Sequence, residues 1–401
     1  MPNWLEERRD EARAVYEKTP LPTLRDERWR YTSLRGIDFD GYRAVADASE
    51  ETFAPTLLGG LESAGELRQV GDSIVQLSAP EGVVLESLEA AADRGDDVVV
   101  KHLGSLVGAT DRFTAENAAR FTGGALIHVP EGASLALPLH LSFAIPEDGA
   151  RTTFRVLVVA EPHSKVTIVE EHAGGAAGYL NGVVELVVGD GAQVDYIRTQ
   201  DLHRDTVHFT TARAEIGRDA ALRWTAIDLG GRIGKARMES RLSGPGSSVR
   251  VTGLYALDGH QHLDLDTTQE HAAPNATSDL AFKGVLQGHS RSVWRGIIRV
   301  DKGAQKTDAF QENRNMLLSP DAHADSIPGL EILANDVRCT HAATVGQVDR
   351  ELLFFLMSRG FTKTAATRLI VQGFFADALE RVEDETVRER LEVALTARVT
   401  A

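Results

Sequence analysis

The side chains best suited to chemistry lie near the end of the chain, where Cys339-Thr340-His341 forms a Cys-x-His motif. On a strand the first and third residues share a face, so the thiol and the imidazole would point the same way. A neutral imidazole binds iron well and can replace a thiolate at a metal centre, which makes His341 the stronger candidate ligand. Cys339 is the weaker candidate, because a lone buried cysteine behaves as a small hydrophobe. Two ligands do not complete a tetrahedral site, so the motif alone is a weak signal.

The elements that would position this motif differ on its two sides. The preceding sequence is rich in short alternating strands, whereas the following sequence becomes helical. We predict three helices in the tail: one over about 349–359, one after an N-cap at Thr362 or Thr364, and one that opens at Asp384. The motif therefore lies where a β region meets a helical region.

Small turn residues recur through the β-rich region at nearly constant intervals. Their spacings are 32, 27, 28, 27, 29 and 28 residues, at Gly132, Ser164, Gly191, Asp219, Gly246, Asn275 and Gly303. A period near 28 without a fixed motif is typical of stacked strand coils, and a second strand set at similar intervals indicates two strands per coil. This favours a solenoid over residues 123–330. A large β-sandwich is the alternative, because its turns also recur, at about 8–12 residues.

We therefore predict a mainly β fold with a right-handed parallel β-helix (solenoid) core over residues 123–330. An α/β N-terminal domain would span residues 1–122, beginning with an amphipathic helix over 3–18, and a helical C-terminal domain would span residues 331–401. The open ends of a solenoid need covers. We expect the N-terminal domain to cover one end and the helical tail to cover the other.

The first tail helix carries more apolar residues than one helical stripe can bury. Such a surplus indicates a docking surface for a partner protein, with a role in covering the solenoid end as the alternative. The predicted docking residues are Phe354, Phe355, Met357, Arg359 and Phe361.

The segment Gly230–Lys235 looks like a nucleotide-binding P-loop but lacks essential parts. Ala236 stands where a Ser or Thr would bind magnesium, and Leu229 stands where the first glycine should be. We interpret the segment as a loop between strands and expect no nucleotide to bind this chain.

Histidines and carboxylates are concentrated in the segment 260–271. On a strand, His260 and His262 would share a face with Asp264 and Asp266, and such a ladder can bind a divalent metal. We favour a solvated strand face and keep the metal site as the alternative. A second polar ladder, which we interpret as structural, consists of Asp308, Gln311, Asn313 and Asn315.

Composition limits the class of protein. The formal net charge of −16 argues against a nucleic-acid partner, which needs clustered Lys and Arg. The single cysteine excludes an internal disulfide framework, a four-cysteine zinc site and an iron–sulfur cluster held wholly by this chain's thiolates. No secretory signal and no long apolar run is present, so we expect a soluble, cytoplasmic protein without membrane contacts.

Four segments carry a resemblance to a known family. They are Glu27–Thr32 (ERWRYT), Phe113–Pro130, Gly296–Ser319 (with AQKTDAFQ) and Leu330–Gly360 (with LEILANDVRCTHAATVG). Together they resemble the SufB/SufD family of the SUF iron–sulfur cluster assembly system, and the SufD branch most closely. The chain departs from the family pattern at Asn335 and at Ala342, where the family has Asp and Gly. Because Gly allows φ > 0, Ala342 bears on the local backbone conformation.

The resemblance implies a scaffold subunit rather than an enzyme. It implies a β-helix core with helical termini, a heterodimer with SufB, and a helical tail that binds the ATPase SufC, which would supply ATP hydrolysis. It also implies that His341 faces SufB and holds iron or a nascent, transient cluster at that interface, with Cys339 as the weaker ligand. A homodimer in isolation remains open.

Two alternatives differ from this interpretation. A SufB-like scaffold acting as a homodimer is the nearer one, although SufB chains are longer and bring their own cysteines, and they tend to have Leu-Glu-His-Glu-Ala-Thr at the position of Cys339–Thr344. A carbohydrate-active β-helix enzyme is the more distant one, since such enzymes are mostly secreted and carry charged clusters along an open groove.

Overall fold

Two parallel sheets form the body of the protein, as the computed structural model describes it for residues 3–49 and 56–399. The helices are α1 (Asn3–Lys18), α2 (Leu88–Asp93), α3 (Asp97–His102), α4 (Arg112–Arg120), α5 (Arg350–Ser358), α6 (Lys363–Leu379) and α7 (Glu385–Ala397), with a 3₁₀ turn at Glu27–Trp29. The strands are β1 (Arg43–Ala44), β2 (Gly65–Val70), β3 (Ser73–Ser78), β4 (Val84–Ser87), β5 (Ala125–Val129), β6 (Leu139–Ala144), β7 (Ala150–Ala160), β8 (Lys165–Gly174), β9 (Gly178–Val188), β10 (Gln193–Leu202), β11 (Val207–Ile216), β12 (Ala221–Asp228), β13 (Ile233–Leu242), β14 (Ser248–Leu257), β15 (His262–His271), β16 (Thr277–Leu286), β17 (Arg291–Val300), β18 (Asp308–Leu317), β19 (His323–Ile332) and β20 (Arg338–Gln347).

Successive strands alternate between the two sheets, so that each coil adds one strand to each. Sheet A contains β1, β4 and the odd-numbered strands from β5 to β19, and sheet B contains β2, β3 and the even-numbered strands from β6 to β20. Within sheet B, Ala221 pairs in parallel with Gln193 on one side and with Ser248 on the other. These partners lie one coil away, which confirms the predicted parallel solenoid. The sandwich alternative is wrong, because the two sheets are built from stacked coils.

One corner of every coil contains a residue in the left-handed region. These residues are Gly132, His163, Gly191, Asp219, Gly246, Asn275 and Lys306. Each donates its backbone N–H to a carbonyl of the next coil, for example from Gly191 to Arg218 O over 2.7 Å. Five of the seven predicted turn residues hold this position, whereas the chain uses His163 and Lys306 near the predicted Ser164 and Gly303.

Apolar side chains fill most of the space between the sheets. Leu and Val residues of neighbouring strands stack on one another, as Val156 does on Val184 in sheet A and Val194 on Leu222 in sheet B. Some positions have no room for a side chain: a Cβ on Gly296 would lie 2.2 Å from the ring of Trp294. Trp294 is fully buried, so this glycine lets a large ring occupy the interior.

The N-terminal part covers the outer face of sheet A and the first end of the solenoid. Helix α1 confirms the predicted helix over 3–18, and its Leu5 packs with Leu126, Leu157 and Val159 of sheet A. At the end itself, β3 pairs antiparallel with β2, and β4 pairs antiparallel with β5. Short antiparallel strands thus finish both sheets at this end.

The C-terminal helices lie on the outer face of sheet B and do not cover the second end. Val371 and Phe375 of α6 and Leu391 of α7 pack in one cluster with Ile227 and Leu254 of sheet B. The expectation that the tail covers the solenoid end is therefore wrong, because its apolar stripe matches the apolar outer face of sheet B. The solenoid also continues to Gln347, so the boundary placed at residue 330 falls inside β19.

Candidate functional site: the open end of the solenoid

The last coil leaves two long strand edges without a partner in the described residues. Strands β19 and β20 stand at the ends of their sheets, and each has ten residues. Between them opens the mouth of the solenoid, which we define as the inward faces of β19 and β20. Its apolar residues remain partly exposed, including Leu330 at 37%, Ile332 at 40% and Val345 at 43%.

His341 points into this mouth. In the parallel register it stands beside Gln311 of β18, while Cys339 stands beside Ala309. Ala309 and Gln311 are buried in the solenoid interior, so the same face of β20 carries Cys339 and His341. The imidazole is exposed, and no hydrogen bond or ion pair engages it in the part of the chain that the structure describes. Its ring nitrogens are therefore available to a ligand or to a partner.

Cys339 lies in a different environment two residues earlier. Its side chain is half-buried and packs against a small cluster that includes Ile298, Ala309 and Ala334. Burial raises the pKa of the Cys339 thiol, and the carboxylate of Asp308 raises it further. Because metals bind the thiolate, this environment makes Cys339 a weaker ligand than an exposed imidazole.

Gln311 forms the floor beneath His341. It is completely buried, and its Nε2 donates to Gly296 O at 3.2 Å and to Gly329 O at 3.1 Å, so the side chain spans from sheet B to sheet A. Asn313 and Asn315 on the same strand are also buried and hydrogen-bonded. These three residues match the structural ladder expected from the sequence, whereas Asp308 lies outside it and pairs with Arg338 at the surface.

Helix α5 begins three residues after β20 and is mostly exposed, with only Leu353 and Leu356 half-buried. Asp349 caps its N-terminus by accepting from Glu351 N and Leu352 N, and no residue of the helix is buried. Its apolar side chains therefore face solvent: Leu352, Phe354, Phe355 and Met357, followed by Phe361 in the next turn of chain. The guanidinium of Arg359 lies 5.1 Å from the centre of the Phe355 ring. All five predicted docking residues lie on this exposed segment.

Of the predicted ladder, His262, Asp264 and Asp266 share the outward face of β15, whereas His260 does not join them. His271 points into the interior, where its Nε2 lies 2.9 Å from Ser278 Oγ, and His260 lies in a turn before the strand. His262 and Asp264 face outward but are covered by Thr32, whose hydroxyl contacts both. The interpretation as a solvated strand face is therefore wrong.

A lysine supplies the positive charge that a metal would have supplied in that ladder. Lys235 Nζ lies 2.9 Å from Asp264 Oδ2 and 3.1 Å from Asp266 Oδ2, and the ring of Trp29 covers it at 5.1 Å. Among residues 3–49 and 56–399, no three His, Cys, Asp or Glu side chains are arranged to hold a metal ion. Lys235 also belongs to the P-loop-like segment, whose last three residues are the start of strand β13, where a P-loop would continue into a helix.

Comparisons with known proteins agree with the family suggested by the sequence. The model of the SufBD core domain of the SUF system for FeS cluster assembly matches residues 143–374. An iron–sulfur cluster assembly SufBD family protein of Mycobacterium bovis is 33% identical over 383 residues, which cover 94% of this chain and 88% of that protein. The iron–sulfur cluster assembly protein SufD of Bacillus subtilis is 28% identical and covers 97% of this chain and 93% of its own length. The iron–sulfur cluster assembly protein SufB of the same organism is 26% identical over a region that covers 79% of this chain and 69% of that protein.

No helix in the described part of the chain has the length and apolar character needed to cross a membrane.

Proposed function

We propose that this chain, which belongs to the SufB/SufD family of SUF iron–sulfur cluster assembly proteins, is the SufD-like subunit of a cytoplasmic SufB–SufC–SufD scaffold. In this role it pairs with SufB, docks the ATPase SufC and contributes a ligand to a cluster under assembly. The chain itself binds no nucleotide, and SufC supplies ATP hydrolysis.

The SufD-like role is preferred to a SufB-like one for two reasons. Similarity to a protein named SufD extends over more of this chain than similarity to one named SufB. The chain also has a single cysteine, whose raised pKa makes it a poor thiolate ligand. A SufB-like scaffold acting as a homodimer is the second candidate, and the unpaired ten-residue edge strands support it, because two copies can meet there.

The observation that carries the proposal is the open end of the solenoid with His341 in its mouth. Two unpaired ten-residue strand edges are a ready template for main-chain pairing with a second solenoid. His341, on β20, points into the mouth between them; no hydrogen bond or ion pair engages its ring in the described residues, and β20 has no acidic residue. One imidazole cannot hold iron or a cluster alone, so cysteine ligands of SufB complete the site, and the cluster is cargo that leaves after assembly.

Docking of SufC is assigned to α5 and the residues after it. An apolar helix that buries none of its residues in its own chain fits the helix-in-groove mode of recognition. The helices behind it are anchored: Lys283 Nζ donates to Phe374 O over 2.8 Å, and Arg381 donates to Asp279 and Thr252. The position of α5 is thus fixed by the helices that follow it, which are hydrogen-bonded to sheet B.

His341→Ala in the complete three-subunit complex tests the ligand role. Assembly and ATP hydrolysis should persist because the imidazole makes no hydrogen bond or ion pair in the described part of the chain, while cluster formation should fail. The matched control is His323→Ala, which removes an exposed imidazole from the other edge strand. Full cluster yield from His341→Ala would end the ligand role, and loss of assembly would make His341 an interface residue only.

Phe354→Glu tests the docking surface better than removal of the tail does. Deleting residues 349–401 would uncover Ile227, Leu254 and the rest of the apolar outer face of sheet B, so the core would not remain intact. Phe354 is 73% exposed on α5, and Val393, on α7, is a matched control at 70%. Phe354→Glu should weaken SufC binding at least about tenfold, as expected for an aromatic anchor, whereas Val393→Glu should leave it unchanged. Equal affinities in both variants would remove α5 from the interface.

A further inference from the structure

A pair of histidines stacks on the surface of the solenoid, at the corner that precedes the strands of sheet A. His260 and His289 each stand two residues before their strand, and the rings lie 5.0 Å apart with an angle of 6° between their planes. The two turns are locked together, since His289 N donates to Gly259 O over 2.7 Å. Both side chains are exposed, so the rings can turn toward one ligand.

The next coil places a carboxylate at the same position. Asp321 stands two residues before β19, and its Oδ2 lies 4.0 Å from His289 Nδ1. The side chains of Asp321 and His289 are both largely exposed, so neither serves the packing of the core. Three successive coils therefore present an imidazole, an imidazole and a carboxylate in one column.

The spacing of this column suits a transition metal. Adjacent strands lie about 4.8 Å apart, close to the roughly 5–6 Å between Cβ atoms of residues four apart on a helix. Two histidines at that helical spacing chelate one zinc ion in the His-Glu-x-x-His motif. Ligand atoms about 2.1 Å from a tetrahedral metal are about 3.4 Å from each other, so the gap between His289 and Asp321 needs only a small rotation.

We propose that His260, His289 and Asp321 form a surface site for a first-row divalent cation such as Fe²⁺. Two imidazoles and one carboxylate are the ligand set of many non-haem Fe²⁺ centres, with the remaining positions open to water. The side-chain rotamers of the structure do not yet converge on a metal among the described residues, so the rings of His260 and His289 turn on binding. The site lies apart from His341, at the other corner of the coils from the turn that precedes β20, and it does not depend on the proposed function.

Equilibrium binding to the isolated full-length chain tests the site, with Ni²⁺ as a redox-inert probe and with Fe²⁺ under anaerobic conditions. His260→Gln and His289→Gln should each weaken binding at least about tenfold, because loss of a ligand costs no less than loss of an outer-shell partner. Asp321→Asn should weaken it about tenfold. All three positions are exposed turn residues, so the variants should fold, as thermal unfolding will verify.

Two controls separate this site from others. His203 Nδ1 lies 3.9 Å from Asp205 Oδ2 at the same kind of corner, but no second ring stacks on it among the residues that the structure describes, so His203→Gln should bind the probe as the unaltered chain does. His341→Ala removes the mouth ligand and should also leave this binding unchanged. Unaltered affinity in His260→Gln or His289→Gln would overturn the proposal, and an equal loss in His203→Gln would show adventitious binding to surface histidines only. Unaltered affinity in Asp321→Asn would remove the carboxylate from the ligand set.

Discussion

The two ends of the solenoid solve the same physical problem in opposite ways. At the first end the sheets finish in β3, with six residues, and β4, with four, and both strands run antiparallel to their neighbours. At the last end they finish in β19 and β20, each with ten residues that run parallel to the strands before them. Long, flat edges invite pairing with another chain, and proteins shorten or cover edges that must stay single.

The burial of side chains differs between the two ends in the same way. Near the first end, Leu67 of β2 and Leu85 of β4 are almost completely buried, and the N-terminal helices cover sheet A. Near the last end, β20 has no buried residue. The tail could have covered this end but packs on the side of sheet B instead. The first end is thus closed by its own chain, whereas the described residues leave the last end open, as the proposed pairing with SufB requires.

The largest expected effect concerns the layer that covers the first end. Glu185 accepts from Gly104 N, Leu106 N and Val107 N and from the guanidinium of Arg155, and it is fully buried. Glu185→Ala would leave Arg155 buried without its partner and release the loop at residues 104–107. We expect the free energy of unfolding to fall by about 3–5 kcal/mol in chemical denaturation.

The matched change at the open end is Glu331→Ala, on the exposed part of β19. It should alter the free energy of unfolding by less than about 0.5 kcal/mol, as surface substitutions do. Similar losses in the two variants would break the contrast between the ends.

The next effect is a pH dependence of stability that comes from a histidine buried inside the solenoid, between the two ends. Burial lowers the pKa of His271 to about 4, whereas an unfolded histidine titrates near about 6.5. As pH falls from 6.5 toward 4, the unfolded chain takes up a proton that the folded chain does not, so stability falls. Above pH 6.5 this residue contributes no pH dependence.

For His271 alone, the free energy of unfolding should be about 2 kcal/mol lower at pH 5 than at pH 7. His271→Gln keeps a hydrogen-bonding group for Ser278 and should reduce the difference between the two pH values by that amount. His208, whose pKa burial lowers to about 3, would account for further acid sensitivity that remains in the variant. An unchanged pH dependence in His271→Gln would show that the solenoid interior opens before this residue titrates.

The sequence predicted the solenoid well because its information is local and repeated. Turn residues near a period of 28 report the corners directly, and five of the seven lie at the left-handed position. Alternation along strands also placed Cys339 and His341 on one face, as the register with Ala309 and Gln311 requires. Helix caps such as Thr362 and Asp384 were visible for the same reason: capping depends on residues a few positions apart.

The arrangement of the parts could not be predicted in the same way. Whether an apolar helix stripe covers an end or a face depends on which distant surface matches it, and α6 matches the outer face of sheet B. The burial of His262 and Asp264 depends on Thr32, more than two hundred residues earlier in the chain. The stack of His260 on His289 could have been suspected, since both follow a glycine in turns of neighbouring coils.

A smaller effect is expected at the floor of the mouth. Gln311→Ala would remove the two hydrogen bonds to Gly296 O and Gly329 O that join the sheets. The free energy of unfolding should fall by about 1–3 kcal/mol. The control is Gln347→Ala at the exposed end of β20, which should have little effect. Equal effects would mean that the mouth is not held in shape by its floor.

The smallest effect on stability, and the sharpest test of the comparison, concerns Leu333. This side chain is 62% exposed where the chain leaves β19, so Leu333→Lys removes little buried surface, and the lysine stem can lie along the same path. The free energy of unfolding of the isolated chain should change by less than about 0.5 kcal/mol. If SufB pairs at this end as we propose, its affinity should fall at least about tenfold, because the lysine charge must be desolvated beside the apolar residues of the mouth. The corresponding change at the first end, Leu67→Lys, should instead unfold the chain, since Leu67 is fully buried. A stable Leu333→Lys chain that still binds SufB with full affinity would place the partner elsewhere and leave the long edges of β19 and β20 unexplained by pairing.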